Sequence, residues 1–337
     1  MRSLLIYRFS VFLTAGLTLA GVAACSSGSA STSASGGATG QGPELSTITL
    51  DARLAADSGP LWIAMQDGFF KQEGLTVKIN YTSGSAAQFS AMAAHTVDFT
   101  QQAYVTMFNE EAKNPQINMR VIAEDSLSAP NTNAIMVPAD SKIKTLAQLK
   151  GKTIAFSSPG FALAELALDE QLKGYGLGPT SYTEQTLAFG SMIEPLTRGQ
   201  VDAAFSVQPY ITQMETQAGA HELADVMTGP MLNFPQLGWT TTAYFEQHYP
   251  RTVAAFQRAI EKGQQAAASN PALVRQALPA EIKGMTAQIA NVIPLPTYVT
   301  TLSQARMQRV ASVMEQFGIV PKSFDVSSMI IPLPSGS

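Results

Sequence analysis

The sequence predicts an α/β protein of two similar lobes, each a mostly parallel β-sheet flanked by helices. Short apolar strands alternate with helical segments, which is typical of βαβ units and parallel sheets. One strand–turn–helix plan occurs in both halves of the chain, and Gly-Leu, Gly-Ser, Val-Asp and Gln follow one another in the same order in each half. Such lobes enclose a cleft, and the loops at the carboxyl ends of the strands face it.

The N-terminal segment predicts a secretion signal with a lipid-attachment site. Arg2 and Arg8 supply positive charge, an apolar stretch runs over residues 10–24, and small residues stand directly before Cys25. This pattern suits the signal peptidase that cleaves lipoproteins. We therefore expect a signal peptide over 1–24 and a lipid on Cys25. An ordinary signal peptide with an incidental cysteine and an uncleaved membrane anchor are the alternatives.

The segment after the cysteine predicts a flexible linker. Residues 25–43 are mostly Ser, Gly, Ala and Thr, a composition that cannot bury a core. The folded part is therefore expected to begin at Glu44. Because the chain has a single cysteine, packing and not disulfide bonds must stabilise it.

The composition excludes some partners. The formal net charge is −4 at pH 7, and 14% of the residues are charged, with no basic stripe of the kind that nucleic-acid binding requires. No nucleic-acid partner is therefore expected. No apolar run beyond the signal reaches the ~20 residues of a bilayer span.

The first half of the folded region shows the repeated plan. Its strand at residues 75–81 alternates apolar and polar side chains, the period of a half-buried strand, and Gly74 ends the helix before it. The predicted elements are a strand at Thr47–Ala52, a turn at Asp57–Pro60, a helix at Leu61–Gln72, a strand at Leu75–Tyr81, a helix from Ser83 to Ala94 and a strand at Val97–Phe99.

The second half repeats the plan in the same order. The predicted elements are a strand at Thr153–Phe156, a turn at Ser157–Gly160, a helix at Phe161–Lys173, an extended segment at Ser181–Leu187, a short helix before Gly199 and a strand at Val201–Phe205. A chance origin of the repeat is the alternative, because Gly-Leu and Val-Asp are common pairs.

Four segments carry a resemblance to a known family. Gly59–Val77 contains an apolar helix that ends at Gly-Phe-Phe, followed by a Gly-Leu that enters a strand. Leu146–Ala155, Gly199–Ala204 and Tyr244–Pro250 supply further similar stretches. Together they resemble the solute-binding lipoproteins of ABC importers, specifically the nitrate, sulfonate, taurine and thiamine-precursor (NMT1/THI5-like) group.

The resemblance implies a two-lobed periplasmic-binding-protein fold of type II, with hinge-linked lobes that close on a small ligand. It implies lobe 1 over 44–136, lobe 2 over 137–234, and a return to lobe 1 with C-terminal helices over 235–337. The crossing segments are expected near Asn133–Val137 and Leu237–Thr241. Gly238 is the candidate hinge glycine, although a plain turn glycine is equally compatible with the sequence.

Polar side chains in strand-to-helix turns are the first predicted ligand contacts. Helix N-termini offer free N–H groups that favour anions without lysine or arginine. The same residue types also serve as ordinary N-caps, and both roles can coexist. The candidates are Asp57, Ser58, Ser83, Ser85, Ser157 and Ser158.

Amides and aromatic rings after the later strands complete the predicted site. Amides suit a polar neutral group, and aromatic rings wall most concave ligand sites. Trp62 is expected in the core with its helix neighbours, whereas Trp239 is expected in the cleft. Asp98 and Asp202 are interpreted as structural. The further candidate contacts are Gln101, Gln102, Asn131, Phe161, Gln208, Tyr210 and Trp239.

The ligand's identity is left open by the sequence. Arg53 and Arg120 are the arginines near the candidate loops, and neither is expected to point clearly into the cleft. Without a guanidinium clamp, a sulfonate or nitrate is less favoured. An aromatic or heterocyclic ligand such as a pyrimidine precursor is then a reasonable competitor.

The expected function is that of a lipid-anchored, extracytoplasmic and monomeric solute-binding component of an ABC importer. It would capture a sulfonate, a nitrate-like anion or a pyrimidine or aromatic precursor, and deliver it to the membrane-spanning permease subunits. No metal, cofactor or catalytic residue is expected, since His95, His221 and His248 lack metal-ligand spacing. An extracellular enzyme or sensor subunit that reuses the fold is the alternative.

Overall fold

The computed structural model describes residues 42–82, 85–158 and 160–334. The predicted signal peptide, Cys25, most of the predicted linker and Ser83 lie outside these described residues. Within them, no helix has both the length and the apolar character needed to cross a bilayer.

Strands and helices alternate through the described part of the chain. The strands are β1 (Thr47–Ala52), β2 (Thr76–Tyr81), β3 (Phe99–Ala103), β4 (Met119–Leu127), β5 (Asn133–Val137), β6 (Thr153–Phe156), β7 (Thr183–Thr186), β8 (Ala203–Val207), β9 (His221–Asp225), β10 (Pro235–Thr242) and β11 (Thr297–Tyr298). The α-helices are α1 (Gly59–Gln66), α2 (Phe69–Gln72), α3 (Ser85–Ala93), α4 (Tyr104–Lys113), α5 (Leu163–Leu172), α6 (Ile193–Thr197), α7 (Tyr210–Ala218), α8 (Ala243–His248), α9 (Pro250–Ser269), α10 (Pro271–Glu281), α11 (Ala287–Ala290) and α12 (Gln304–Gln316).

Two sheets form the two lobes. The first sheet has the strand order β11-β4-β10-β3-β1-β2, and the second has the order β7-β6-β8-β5-β9. The pairs β1–β2, β1–β3, β6–β7 and β6–β8 are parallel, whereas β10 and β5 pair antiparallel with their neighbours. Each sheet is therefore mixed, which corrects the expectation of mostly parallel sheets. Two successive strands that pair in parallel are joined by a crossover connection within one sheet. The strands β5 and β10 instead follow strands of the other sheet, so the chain enters each of them from the other lobe.

The lobes repeat one structural detail, which confirms the structural interpretation of Asp98 and Asp202. The Asp98 carboxylate accepts a hydrogen bond from the backbone N–H of Thr49 at 2.7 Å. The Asp202 carboxylate accepts one from the N–H of Thr153 at 2.9 Å. Each aspartate precedes a strand and binds the neighbouring parallel strand, β1 or β6.

The chain crosses between the sheets over residues 128–132 and again over 226–234. The crossings expected near Asn133–Val137 and Leu237–Thr241 lie just before the strands that contain these segments, because these residues themselves pair inside β5 and β10. Residues 133–136 accordingly belong with the second sheet. The remaining lobe limits stay a prediction.

Gly238 makes room for a side chain. A Cβ at this position would lie 2.8 Å from Cε1 and Cζ of the fully buried Tyr104 ring. The glycine lies in the middle of β10, a paired strand. The close approach of the Tyr104 ring therefore explains the glycine, and a hinge is not needed to explain it.

The predicted helix Leu61–Gln72 is broken in two. Gly68 adopts a left-handed conformation with φ 70°, which ends α1 and starts α2 in a new direction. The lobes also share a core, because one hydrophobic cluster contains Phe108 of α4, Leu166 of α5 and Phe205 of β8. The two lobes therefore pack directly on each other.

Candidate ligand-binding site

A cavity of about 290 Å³ lies between the two sheets and is lined by both lobes. This volume lies near the lower end of the ~300–1,000 Å³ usual for small-molecule sites. The first lobe contributes Arg53, Leu54, Tyr81, Gln88, Gln101 and Gln102, and the second contributes Ser157, Ser158, Glu165, Phe189, Ser191 and Tyr210.

The carboxyl ends of parallel strands build this cavity. Arg53 follows β1, and Gln101 and Gln102 end β3 in the first sheet. Ser157 follows β6, and Tyr210 comes shortly after β8 in the second sheet. This is where ligands bind in open α/β sheets, and the position predicted for the cleft is therefore the position of the cavity.

Gln101 is held by three groups of its own lobe. Its Oε1 accepts hydrogen bonds from the backbone N–H of Arg53 at 2.9 Å and from the Ser58 hydroxyl at 2.8 Å. Its Nε2 donates to an Asp125 carboxylate oxygen at 3.0 Å. The Gln101 side chain thus orients the turn that carries Arg53, in addition to lining the cavity.

A buried carboxyl pair, Asp57 and Asp125, stands behind this wall. Asp57 accepts a hydrogen bond from the Ser126 hydroxyl at 3.0 Å, and Asp125 accepts one from Gln264 Nε2 at 3.0 Å. Burial raises the pKa of Asp125 to about 8, and repulsion from Asp57 contributes. Burial also raises the pKa of Asp57, opposed by the nearby Arg53. The pair therefore holds a proton at neutral pH.

Arg53 bridges the lobes through its side chain. Its guanidinium carbon lies 5.8 Å from the centre of the Phe189 ring of the second lobe, within cation–π range. Among the ion pairs of the described residues, none involves Arg53. The structure thus corrects the expectation that no arginine points clearly into the cleft. Arg120 is not among the cavity-lining residues and donates to Asn118.

Several buried polar atoms of the cavity wall have no hydrogen-bond partner within the described chain. These atoms are Thr82 Oγ1, Gln88 Nε2, Gln102 Nε2, Gln102 Oε1 and Glu165 Oε1. Leaving a buried donor or acceptor unpaired costs about 1–3 kcal/mol. The residues that carry these atoms give the wall a polar character.

Several hydrogen bonds join the lobes around the cavity, among them one from Gln236 Nε2 to Asn133 Oδ1 at 3.1 Å. The Tyr210 hydroxyl donates to the Leu54 carbonyl at 2.7 Å, and the Ala56 N–H donates to the Gln208 carbonyl at 3.2 Å. Asn109 Nδ2 donates to the Phe161 carbonyl at 3.2 Å. The lobes are therefore in contact in a closed arrangement.

Tyr210→Phe is expected to loosen this closed arrangement. The change removes the bond to Leu54, and a hydrogen bond of this kind contributes about 1 kcal/mol, roughly a fivefold shift in a two-state equilibrium. Hydrogen exchange of the Ala56 amide should become faster by about this factor. Tyr244→Phe is the matched control, since Tyr244 is exposed and does not line the cavity. Unchanged exchange in Tyr210→Phe would contradict the prediction.

The structure brings five predicted contacts together at the cavity. They are Gln101, Gln102, Ser157, Ser158 and Tyr210. Their contact with a ligand remains a prediction. Ser85 begins α3, and Ser83 lies outside the described residues.

Asp57 and Ser58 do not reach the cavity wall. Both are buried, and the Ser58 hydroxyl donates to Gln101 and to the Arg53 carbonyl. Their predicted contact with the ligand is corrected to support of the residues that line the cavity. The capping alternative also fails here, because neither side chain caps a helix N–H.

Asn131, Gln208 and Phe161 are also absent from the cavity lining. Asn131 is exposed, with φ 61°, and its N–H donates to Asp225 at 2.8 Å. Gln208 donates to the Asn131 carbonyl at 3.1 Å and accepts from Thr212 at 3.0 Å. Both therefore stabilise the first crossing. Phe161 lines a neighbouring, more open depression of about 410 Å³.

Trp239 is the clearest correction. It is 0% exposed and packs edge-on against Phe256, with ring centres 5.3 Å apart, in the core of the first lobe. Its strand β10 is covered on both faces, a burial that local sequence does not reveal. Trp62 is buried as expected, and its indole N–H donates to the hydroxyl of cavity-lining Tyr81 at 2.9 Å.

Sequence reasoning missed several cavity residues. Phe189 and Ser191 follow the extended segment of the second lobe, as Ser83 and Ser85 follow that of the first. Comparing the candidate site residues of the two repeated halves would have identified Phe189 and Ser191. Glu165 looks in the sequence like any helical acid, and no local signal marks it. Among the described residues, no group of three or more His, Cys, Asp and Glu side chains is placed to hold a metal ion.

Two lobes of mixed sheet with a cavity between them define the periplasmic-binding-protein class of fold. The solved structure of the alkanesulfonate-binding protein SsuA from Xanthomonas axonopodis pv. citri, bound to MOPS, matches with a TM-score of 0.72 at 18% identity. The match covers 86% of this chain and 99% of that one. The predicted fold class is confirmed.

Residues 55–273 match the family model described as NMT1/THI5 like, and the chain belongs to this family. A Haemophilus influenzae protein whose name assigns it to thiamine biosynthesis is 25% identical over 298 residues, which cover 85% of this chain and 91% of that protein. The 4-amino-5-hydroxymethyl-2-methylpyrimidine phosphate synthase of Aspergillus parasiticus is 23% identical over 149 residues, covering 44% of this chain and 42% of the synthase. The family predicted from the sequence is thus confirmed.

Proposed function

We propose that this chain is the extracytoplasmic solute-binding component of an ABC importer. It captures a small organic solute between its lobes and delivers it to the permease subunits. The observation that carries the proposal is the cavity of about 290 Å³, walled by both lobes and lined by polar residues such as Gln102, Ser157 and Tyr210. Family membership and the sequence features of a lipoprotein support it.

The contacts between the lobes suit reversible capture. Several hydrogen bonds join the lobes around the cavity, and each contributes only about 1 kcal/mol net. A solute that pairs with Gln102 and Glu165 adds interactions that exist only when both lobes surround it. Such differential binding shifts the population of lobes towards the closed state.

The proposal is binding without turnover. A relative named as a synthase makes an enzyme the alternative to test, and a sensor subunit is the other. The direct test incubates the chain from Ser26 onward with the low-molecular-mass fraction of the host's growth medium. The protein is then reisolated, and the retained compound is released by denaturation and identified by mass spectrometry.

We expect one compound to be retained chemically unchanged, with a decrease in the radius of gyration by X-ray scattering. A compound that is consumed or altered would support the enzyme. Deletion of the gene should abolish uptake of the same compound. Normal uptake after deletion would support the sensor.

We further propose that a lipid on Cys25 anchors the protein to the membrane, with residues 25–43 as the linker. Cys25→Ser is expected to move the protein from the membrane fraction to the soluble extracytoplasmic fraction, because the acyl chains are lost. Immunoblots of separated fractions measure this. Ser26→Ala is the matched control and should stay with the membrane. A Cys25→Ser protein that remains in the membrane fraction would indicate an uncleaved anchor.

A further inference from the structure

The start of the second crossing is held by a side chain of the second lobe. Gln171 belongs to α5, which lies between β6 and β7 of the second sheet in chain order. Its Nε2 donates to the carbonyls of Val226 and Thr228, at 3.1 Å each, and its Oε1 accepts from the Thr228 hydroxyl at 3.4 Å. The crossing is therefore fixed to the second lobe as far as Thr228.

The end of the same crossing is held by a side chain of the first lobe. Arg309 belongs to α12, and one turn earlier in this helix Arg306 donates to Glu124 of β4 in the first sheet at 2.6 Å. The Arg309 guanidinium donates to three carbonyls of the crossing, those of Pro230, Leu232 and Asn233, at 2.7, 3.0 and 3.1 Å. From Pro230 onward, the crossing is therefore fixed to the first lobe.

Gly229 lies directly between these two held segments. Its backbone is left-handed, with φ 58°, and a Cβ there would meet no heavy atom of the described chain within 4 Å. One backbone hydrogen bond spans it, from the Met231 N–H to the Thr228 carbonyl at 3.0 Å, and this carbonyl keeps Gln171 as a partner if that bond opens. Since glycine adopts positive and negative φ about equally well, the chain can turn at this position at little cost.

The first crossing changes lobes in the same way. The Ser128 N–H donates to the Phe234 carbonyl at 2.8 Å, and its hydroxyl accepts from the Phe234 N–H at 2.7 Å, which ties Ser128 to the first-lobe end of the second crossing. The Asn131 N–H donates to Asp225 of the second lobe at 2.8 Å. Residues 129–130 lie between them. Both crossings thus pass from one lobe to the other over one or two residues, which is the arrangement of a hinge.

We propose that Gly229 is the hinge of the second crossing, and that Gln171 and Arg309 are positioning residues that confine the bending to it. Opening of the lobes changes the dihedral angles of Gly229, while the segments on either side move with their own lobes. The inference rests on the proposed solute-binding function, because it specifies how the lobes that capture the solute open and close.

A pair of glycine variants tests the hinge. Alanine is strained at a left-handed φ, so Gly229→Ala disfavours the closed arrangement, and an opening that changes this φ relieves the strain. The ratio of open to closed lobes should rise about fivefold. Gly199→Ala is the matched control, because Gly199 has φ 66°, is equally free of neighbours and lies between α6 and β8, away from both crossings. It should carry the same strain and leave the ratio unchanged.

Spin labels on the two lobes measure this ratio. Lys78→Cys and Thr183→Cys place labels at exposed positions of β2 and β7, which lie at outer edges of the two sheets. The chain from Ser26 onward keeps every described residue and has no other cysteine. Double electron–electron resonance then gives the distribution of distances between the labels without added solute. A distribution in Gly229→Ala that equals the wild type, or that moves towards the closed distance, overturns the inference.

Arg309→Gln tests whether Arg309 confines the bending. The change frees residues 230–233 from α12, so bending spreads over several residues. Gly229→Ala should then change the ratio by less than about twofold. Arg198→Gln is the matched control background, because Arg198 is exposed and forms its ion pair with Glu194 one turn away. A fivefold effect of Gly229→Ala that persists in Arg309→Gln overturns the role of Arg309.

Failure of this inference differs from failure of the proposed function. If the reisolated protein retains a compound and Gly229→Ala leaves the ratio unchanged, solute capture stands and the hinge assignment is wrong. If no compound is retained while Gly229→Ala still shifts the ratio, the hinge stands and solute capture is wrong. A merely structural role of Gly229 would lower stability as Gly199→Ala does, without a change in the ratio.

Discussion

Gly263→Ala is expected to lower the free energy of unfolding by about 1–3 kcal/mol, although alanine is the better helix former. Gly263 lies in α9, where it faces α1. A Cβ there would lie 3.1 Å from the Pro60 carbonyl carbon and from Ala64 Cβ, and closer still to the Pro60 carbonyl oxygen. Backbone atoms cannot rotate away as a flexible side chain can, so the two helices must separate.

The comparison with another glycine isolates this effect. Gly174→Ala places its Cβ where no heavy atom lies within 4 Å, so its stability should change by no more than about 0.5 kcal/mol. Urea unfolding followed by circular dichroism measures both variants. A Gly263→Ala protein as stable as the wild type would show that α1 and α9 are not in close contact.

The second large effect is a loss of stability as the pH rises from about 4 to about 8. Burial raises the pKa of Asp125 and Glu165 to about 8 and that of Asp169 to about 7. These acids keep protons in the folded state that the unfolded chain has already released. Their contribution is complete below the unfolded pKa and disappears as the pH passes the folded pKa.

Thermal unfolding between pH 5.5 and pH 8.5 measures this dependence. Since 1 kcal/mol corresponds to about 2–4 °C in a chain of this size, we expect the melting temperature to fall by roughly 5 °C or more. A melting temperature that rises over this range would contradict the prediction.

Asp125→Asn should reduce the pH dependence, because it removes one of the three acids while keeping an acceptor for Gln101 or Gln264. Asp67→Asn at the surface is the matched control and should leave the wild-type profile unchanged. A profile equally steep in Asp125→Asn and wild type would show that Asp125 is not among the groups responsible.

Local patterns predicted much of the framework. The strands Thr47–Ala52 and Thr153–Phe156 occur at the predicted residues, because an apolar stretch between turn residues needs no distant information. The Leu61–Gln72 prediction failed only at Gly68, where a left-handed glycine divides the helix. The periodicity of the sequence predicted that this segment is helical. The break in the helix depended on the left-handed backbone conformation of Gly68, which periodicity does not reveal.

The candidate site was partly predictable for the same reason. Topology places the carboxyl ends of parallel strands at one edge, so Gln101, Gln102, Ser157 and Ser158 were found from their positions after strands. Trp239 was expected in the cleft as an aromatic wall beside the second crossing, yet it lies in the core. The position of a residue along the chain does not reveal which faces of a central strand are covered by helices in the folded protein.

The sequence by itself determined the α/β class, the two-lobed plan and the strand ends that meet at the cavity, since these depend on local periodicity and turn residues. The family followed from the resemblance of four segments to known members. Only the tertiary structure decided that Arg53 and Glu165 line the cavity, that Asp57 and Asp125 share a buried site, and that Trp239 is inaccessible. The burial of a side chain and its electrostatic surroundings depend on neighbours from distant parts of the chain. No local sequence pattern encodes them.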